Sequence, residues 1–370
     1  MNVEIITEMN ELKKVKEKWE ELEVKEIGTT IFQTYLYNLT WWDSVKELNK
    51  YKLNIIVIRD KNQNILGIAP LVVEEEKKIF LKIKTLKFMG WGDYLNFLIL
   101  SKNTNVAKVV NKIFDTINNL NVDRIMLTNI DINSKLGGVL RRNERYNKSL
   151  EFLTECPQIQ FFKYNSLNNY KEKFNYSSLN NLKNKLKKDY NYKLIVENNI
   201  ENNKFKEISE IHKHLQNFLN KEKAYKDRKS LYEDPKRKSF LKNFYSETDK
   251  VLNFFIVDMN NNIIAYDTCY INDKRILSWN MGHNPKYNAY SPGRIISLEI
   301  IDWFFKQDSF QEYIFDFGCG GYSWKFQWTD DFTSVYKLEY DIQSNLNIKL
   351  LKKLQLLKKG VKCLLKVIKN

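Results

Sequence analysis

Two stretches far apart in the chain share one alternation of apolar and polar positions. Leu53-Asn54-Ile55-Ile56-Val57-Ile58 leads through a polar turn into Ile65-Leu66-Gly67-Ile68-Ala69, and Leu252-Asn253-Phe254-Phe255-Ile256-Val257 leads through another into Ile263-Ile264-Ala265. β-Branched and aromatic runs bracketing an Asn-rich turn predict a β-hairpin in each. Met89-Gly90 follows the first and Met281-Gly282 the second. Helix-period patterns come next, Val106 to Leu120 and Arg294 to Lys306, and then short apolar strands, Arg124 to Leu127 and Tyr313 to Phe317. The same order of elements twice predicts an internal duplication.

The duplication fits the length, since 370 residues exceed one ordinary core. The expected division is 1–160 for a first α/β domain, 161–342 for a second, and 343–370 for a basic amphipathic helix, with the boundary near Gln158 to Asn169. The second domain opens with the Lys-rich stretch Leu179 to Tyr190, an amphipathic helix over Lys204 to Phe218 and a charged loop over Glu222 to Lys238. In the tail, Leu350, Leu354, Leu357, Val361, Leu364 and Ile368 share a helix face beside eight lysines and no acidic residue. That pattern allows peripheral membrane contact through residues 346–370, or docking on the protein itself.

Composition narrows the function. The formal charge of +15 suits an anionic partner, but the clusters of Asn among Lys and Ile assign most of it to bulk composition rather than to DNA binding. Four scattered cysteines and three histidines make no familiar metal site, and no metal is expected. No apolar leader or membrane-length run stands in the chain, so a cytoplasmic protein is expected, with the tail as the element that would hold it at the inner face of the membrane.

The two copies differ where chemistry would sit. The second carries Tyr290-Ser291-Pro292-Gly293-Arg294 directly before its helix, and the first has Lys102-Asn103-Thr104-Asn105. A helix N-terminus with a close-approaching Gly293 and a cationic Arg294 suits a pyrophosphate. A plain Pro-Gly turn reads the same way. The last strand of the second copy runs into Asp316-Phe317-Gly318-Cys319-Gly320-Gly321-Tyr322-Ser323-Trp324-Lys325, a glycine-rich mouth with three ionisable groups.

These segments, with Lys325-Phe326-x-Trp328, resemble the CelD-like (BioF-associated) acetyltransferases of the GNAT superfamily, relatives of the FemAB aminoacyltransferases. Phe32-Gln33-Thr34, Trp41-Trp42, Gly67-Ile68-Ala69-Pro70-Leu71 and Gly90-x-x-Asp93-Tyr94-Leu95 are similar to that family's opening signature. The chain departs from it at Trp324, where Tyr is usual, and at Cys319, where Arg is frequent. The resemblance implies tandem GNAT-like domains, each a mixed, mostly antiparallel sheet flanked by helices. It implies acyl-CoA, acetyl-CoA above all, as donor, and an amine acceptor such as an amino sugar or lipid-linked envelope precursor. Ser291, Gly293, Arg294, Gly318 and Gly320 are then the donor-binding residues. The splay that holds the thioester is expected between Ile276 to Met281 and Tyr313 to Phe317. His283 or Asp316 would take the amine proton, Tyr322 protonate the leaving thiolate and Lys325 bind a phosphate. Two other readings stand beside this one: aminoacyl transfer from tRNA, and a non-catalytic accessory role in polysaccharide synthesis.

Overall fold

A computed structural model describes residues 1–78, 81–174, 176–222, 228–342 and Leu350. The basic tail helix expected over 343–370 lies outside these residues apart from that leucine. The described chain divides into two compact units: Met1–Ile27, Phe32–Leu153 and residues 334–342 belong to the first, and Gly28–Ile31 with Thr154–Thr333 to the second. The second unit thus begins a few residues before the expected boundary and ends before the last strand.

In the first unit the strands are β1 (Asn2–Ile6), β2 (Tyr51–Leu53), β3 (Ile55–Arg59), β4 (Ile65–Ala69), β5 (Leu71–Lys78), β6 (Leu81–Phe88), β7 (Leu98–Ile99) and β8 (Arg124–Asp131), and the helix α1 (Val106–Asn118) lies between the last two. β1, β3, β4 and β7 form an antiparallel sheet. β2, β5 and β6 form another, to which β8 adds parallel to β6 through Thr85↔Arg124 and Leu86↔Ile125. Pro70 separates β4 from β5, because it has no N–H for a continuous ladder. Asn105 caps α1 by accepting from the Lys108 N–H, and the helix buries Val109, Val110, Ile113, Phe114 and Ile117.

The second unit uses β9 (Leu150–Gln160, which enters it at Thr154), α2 (Ser177–Tyr190), β10 (Lys193–Glu197), α3 (Asn202–Lys221), α4 (Pro235–Glu247), β11 (Val251–Val257), β12 (Ile263–Asn272), β13 (Arg275–His283), α5 (Pro292–Phe304) and β14 (Ile314–Asp316). Its sheet runs β10-β11-β12-β13-β14-β9, antiparallel except for the parallel pair β13 and β14. All seven residues of β11 are buried, as a central strand covered on both faces requires. α5 buries Ile295, Ile296, Leu298, Ile300, Ile301 and Phe304 in the core shared with β11 to β14 and α2. The final strand, β15 (Phe332–Asp341), pairs with β8 from Val335 to Asp341. Its residues 334–341 therefore complete the first unit, although the sequence reading gave them to the second.

The duplication holds in detail. β6, α1 and a parallel β8 in the first unit match β13, α5 and a parallel β14 in the second. Even the hairpin turns share their chemistry. Asp60 Oδ1 accepts from the N–H groups of Asn62 and Asn64 at 2.8 and 2.9 Å, with Gln63 left-handed at φ 65°. Asp258 Oδ1 accepts from Asn260 and Asn262 at 2.9 Å each, with Asn261 left-handed. The stretch read as a charged loop, 222–238, contains the start of α4, where Asp234 caps and Pro235 takes the first turn. No described helix is long and apolar enough to cross a membrane.

Candidate active site

β13 and β14 are in register at only three positions, Arg275↔Ile314, Ile276↔Phe315 and Leu277↔Asp316. β14 ends there, while β13 continues for six residues to His283. The register between β12 and β13 slips at Trp279, since Thr268 faces Asn280 and Cys269 faces Ser278. β13 is thus bulged where it leaves its parallel neighbour, and a bulge re-aims backbone groups. The pairing of β13 with β14 thus stops at Leu277, where the splay was expected.

One carboxyl lies beside that point. Ser278, partly exposed, donates its hydroxyl to Asp267 Oδ2 at 2.7 Å. Asp267 is 1% exposed, and burial pushes its carboxyl up to about 7, against the opposing pull of its hydrogen bonds from Ser278 and Cys269. A carboxyl poised near neutrality can hold or release a proton at working pH. Sequence reading missed both residues: Asp267 stands inside an ordinary strand pattern, and only the cross-strand register brings Ser278 to it.

The far end of β13 carries the helix corner. Ser291 adopts φ 54° and ψ 52°, and its carbonyl accepts from the N–H groups of Arg294 and Ile295 at 2.9 and 3.1 Å. The left-handed residue is therefore Ser291, not the glycine. Gly293 lets His283 sit close to the helix start, since a Cβ there would make a tight 3.3 Å contact with His283 Nδ1. Its N–H is the first in α5, after Pro292, and points out of the helix start without an intrahelical acceptor. Arg294 is exposed beside it, and Lys286 belongs to the preceding turn. His283 Nε2 lies 3.3 Å from Asn288 Oδ1. With that acceptor Nε2 carries the proton, and Nδ1 faces Gly293 as a lone pair. Burial lowers the imidazole's pKa, with the Asn288 contact opposing, so the ring is neutral at pH 7.

The glycine-rich segment after β14 forms a separate cluster. Asp316 is wholly buried; Oδ2 accepts from Gln158 Nε2 at 3.0 Å and lies 3.7 Å from Arg275 Nε, and Oδ1 accepts from the Gly318 N–H at 2.8 Å. Lys325, 4% exposed, donates to the carbonyls of Gly318 and Cys319 at 2.8 and 2.9 Å. These contacts correct two expectations. Asp316 is enclosed with both oxygens engaged, so it fixes the loop instead of taking a substrate proton. Lys325 is folded back onto the backbone and is not a solvent-facing phosphate ligand. Gly318 and Gly320 have φ 70° and 109°, and a Cβ on Gly320 would lie 2.4 Å from the Tyr322 ring. Tyr322 is 46% exposed and is the outward ionisable group of the loop.

The structure therefore brings Ser291, Gly293, Arg294 and His283 together, and separately Asp316, Gly318, Gly320, Tyr322 and Lys325. Six residues of β13 part the level of Asp316 from His283, roughly 20 Å of extended chain. Ser278 and Asp267 stand at the Asp316 end. The first unit has a cavity of about 460 Å³ lined by Trp42, Tyr51, Lys52, Asn54, Glu75 and Lys84, among others, with none of these features.

Residues 180–326 match the acetyltransferase (GNAT) domain family. That span holds every residue of the two clusters and of the splay. Among solved structures, FemX is similar over 95% of this chain and 99% of its own, at 10% identity and a TM-score of 0.57. L-PGS from Bacillus licheniformis is similar over 90% and 94%, at 11% identity and 0.51. A conserved protein of unknown function from Bacteroides thetaiotaomicron VPI-5482 is similar over 91% and 99%, at 9% identity and 0.53. At such identities the likeness is one of fold. No curated protein matches the sequence. Residues 180–326 of the second unit thus resemble a GNAT domain, and the first unit repeats its order of strand, helix and parallel strand, giving a mixed α/β, tandem GNAT-like architecture.

Proposed function

We propose that the second unit transfers an acyl group from acyl-CoA, acetyl-CoA in the simplest case, to an amine. The observation that carries this reading is the parting of β13 from β14 with a helix N-terminus, Gly293 and Arg294 at its far end. An extended donor fits there, its phosphates at α5 and its reactive carbon about 20 Å away by Ser278. The Gly293 N–H, the helix dipole and Arg294 hold the pyrophosphate, and His283 packs against that corner. Backbone N–H groups of β13 beyond its pairing with β14 polarise the thioester carbonyl. The amine nitrogen attacks the carbonyl carbon, and its proton passes through the Ser278 hydroxyl to the Asp267 carboxylate. Collapse breaks the carbon–sulfur bond, and Tyr322 supplies the proton to the leaving thiolate. The resemblance to the CelD-like group supports an amino sugar or other envelope precursor as acceptor.

Binding to the folded state alone stabilises by mass action, about 2.7 kcal/mol at a hundredfold excess over Kd. CoA is therefore expected to raise the melting temperature of the full chain. Gly293→Asp places a carboxylate at the phosphates and presses on His283, and is expected to abolish the rise. A wild-type melting curve unmoved by saturating CoA and acetyl-CoA would contradict the donor assignment and shift the case to aminoacyl-tRNA, for which the +15 charge would serve.

A further inference from the structure

The glycine-rich loop carries a pair of thiols that the transfer reaction does not use. Cys319 lies between Gly318 and Gly320, and Cys156 lies on β9. Their sulfurs are 3.4 Å apart. The segments that bear them are laced together on both sides. Phe317 N–H donates to the Pro157 carbonyl at 3.0 Å, Gly320 N–H to the Glu155 carbonyl at 3.0 Å, and Gly321 N–H to Thr154 Oγ1 at 3.0 Å. Neither cysteine is in a disulfide; Cys156 is fully buried and Cys319 partly exposed.

We propose that Cys156 and Cys319 form an oxidation site that a peroxide closes to an intramolecular disulfide, locking the Gly318–Tyr322 loop onto β9. A disulfide needs its sulfurs about 2.05 Å apart, so they must approach by little more than an ångström. Glycines flank Cys319 on both sides, and they can absorb that shift at small cost. The chemistry balances. The Cys319 thiolate attacks one peroxide oxygen, breaking the O–O bond, and becomes a sulfenic acid as the first water leaves. The Cys156 thiolate then attacks the sulfenic sulfur, forming the S–S bond and releasing the second water. Two thiols are oxidised, one hydrogen peroxide is reduced, and the thiol protons end in water. Cys319 reacts first because it is the accessible member of the pair. Cys269, wholly buried with its pKa pushed well up by burial and the neighbouring Asp267, stays reduced.

The test is peptide mapping of the full chain after stoichiometric hydrogen peroxide, read by mass spectrometry without reduction. The expected result is a cross-linked pair of peptides holding Cys156 and Cys319, two hydrogens lighter than the free pair and restored by dithiothreitol. Amide exchange from Gly318 to Tyr322 should slow in the oxidised form. Cys156→Ser and Cys156→Ala, used together in case one fails to fold, should give no cross-link and leave Cys319 as sulfenic acid. Thiols oxidised only elsewhere, or only intermolecular dimers, would overturn the proposal. These readouts need no acyl donor, so they stand apart from the proposed activity.

Discussion

Asp267→Asn is expected to lower turnover by about 10²- to 10⁴-fold while making the folded protein more stable above neutrality. The two effects have one origin. The carboxyl ionises at 3.8 when solvated and at about 7 in the fold. Its burial therefore favours the folded state fully below pH 4, and that contribution is lost as pH rises from about 4 to about 7. Three pKa units correspond to about 4 kcal/mol as an order of magnitude. Asn keeps an acceptor for the Ser278 hydroxyl and cannot ionise. Denaturation midpoints at pH 4 and pH 8 should thus nearly coincide with wild type at the acid end and exceed it at the alkaline end. Wild-type turnover should rise as pH passes about 7, because only the carboxylate accepts the amine proton. A variant with full turnover would remove Asp267 from the mechanism, and one without gain at pH 8 would refute its buried, raised state.

Lys325→Met is expected to act by the opposite route, through stability first. The methionine keeps the aliphatic bulk and removes the donors, leaving the Gly318 and Cys319 carbonyls without the ammonium. Each orphaned buried acceptor costs about 1–3 kcal/mol, partly offset because no charge is buried any longer, so a net loss of about 2–4 kcal/mol is expected. Turnover should fall at least about tenfold as the loop that carries Tyr322 loosens. A lysine that binds a donor phosphate would give a different signature: unchanged stability and a raised KM for the donor. Chemical denaturation together with steady-state kinetics separates the two.

Much of this was legible from residue order. The hairpin runs Leu53 to Ala69 and Leu252 to Ala265 repeat one pattern, and Met89-Gly90 and Met281-Gly282 follow them at equal places before their helices, so local pattern alone exposed the duplication. β13 outruns β14 at the place where the splay was expected, because β13 is long and the apolar run before Gly318 is short. The roles of Asp316 and Lys325 were not legible, because they depend on where Gln158 and two loop carbonyls fall in space. The Asp267–Ser278 contact was hidden for a related reason. It joins residues eleven apart on adjacent strands whose register slips at Trp279, and periodicity does not report a bulge. β15 escaped because a strand pattern does not say which of two sheets it completes.

Amide hydrogen exchange of the full chain with and without saturating CoA tests the donor site most directly. Slower exchange at Ser278 to His283 and at Gly293, with β6 and β8 of the first unit unchanged, is the predicted result. Unchanged exchange throughout, or protection confined to the first unit, would contradict the placement of the donor between β13 and β14.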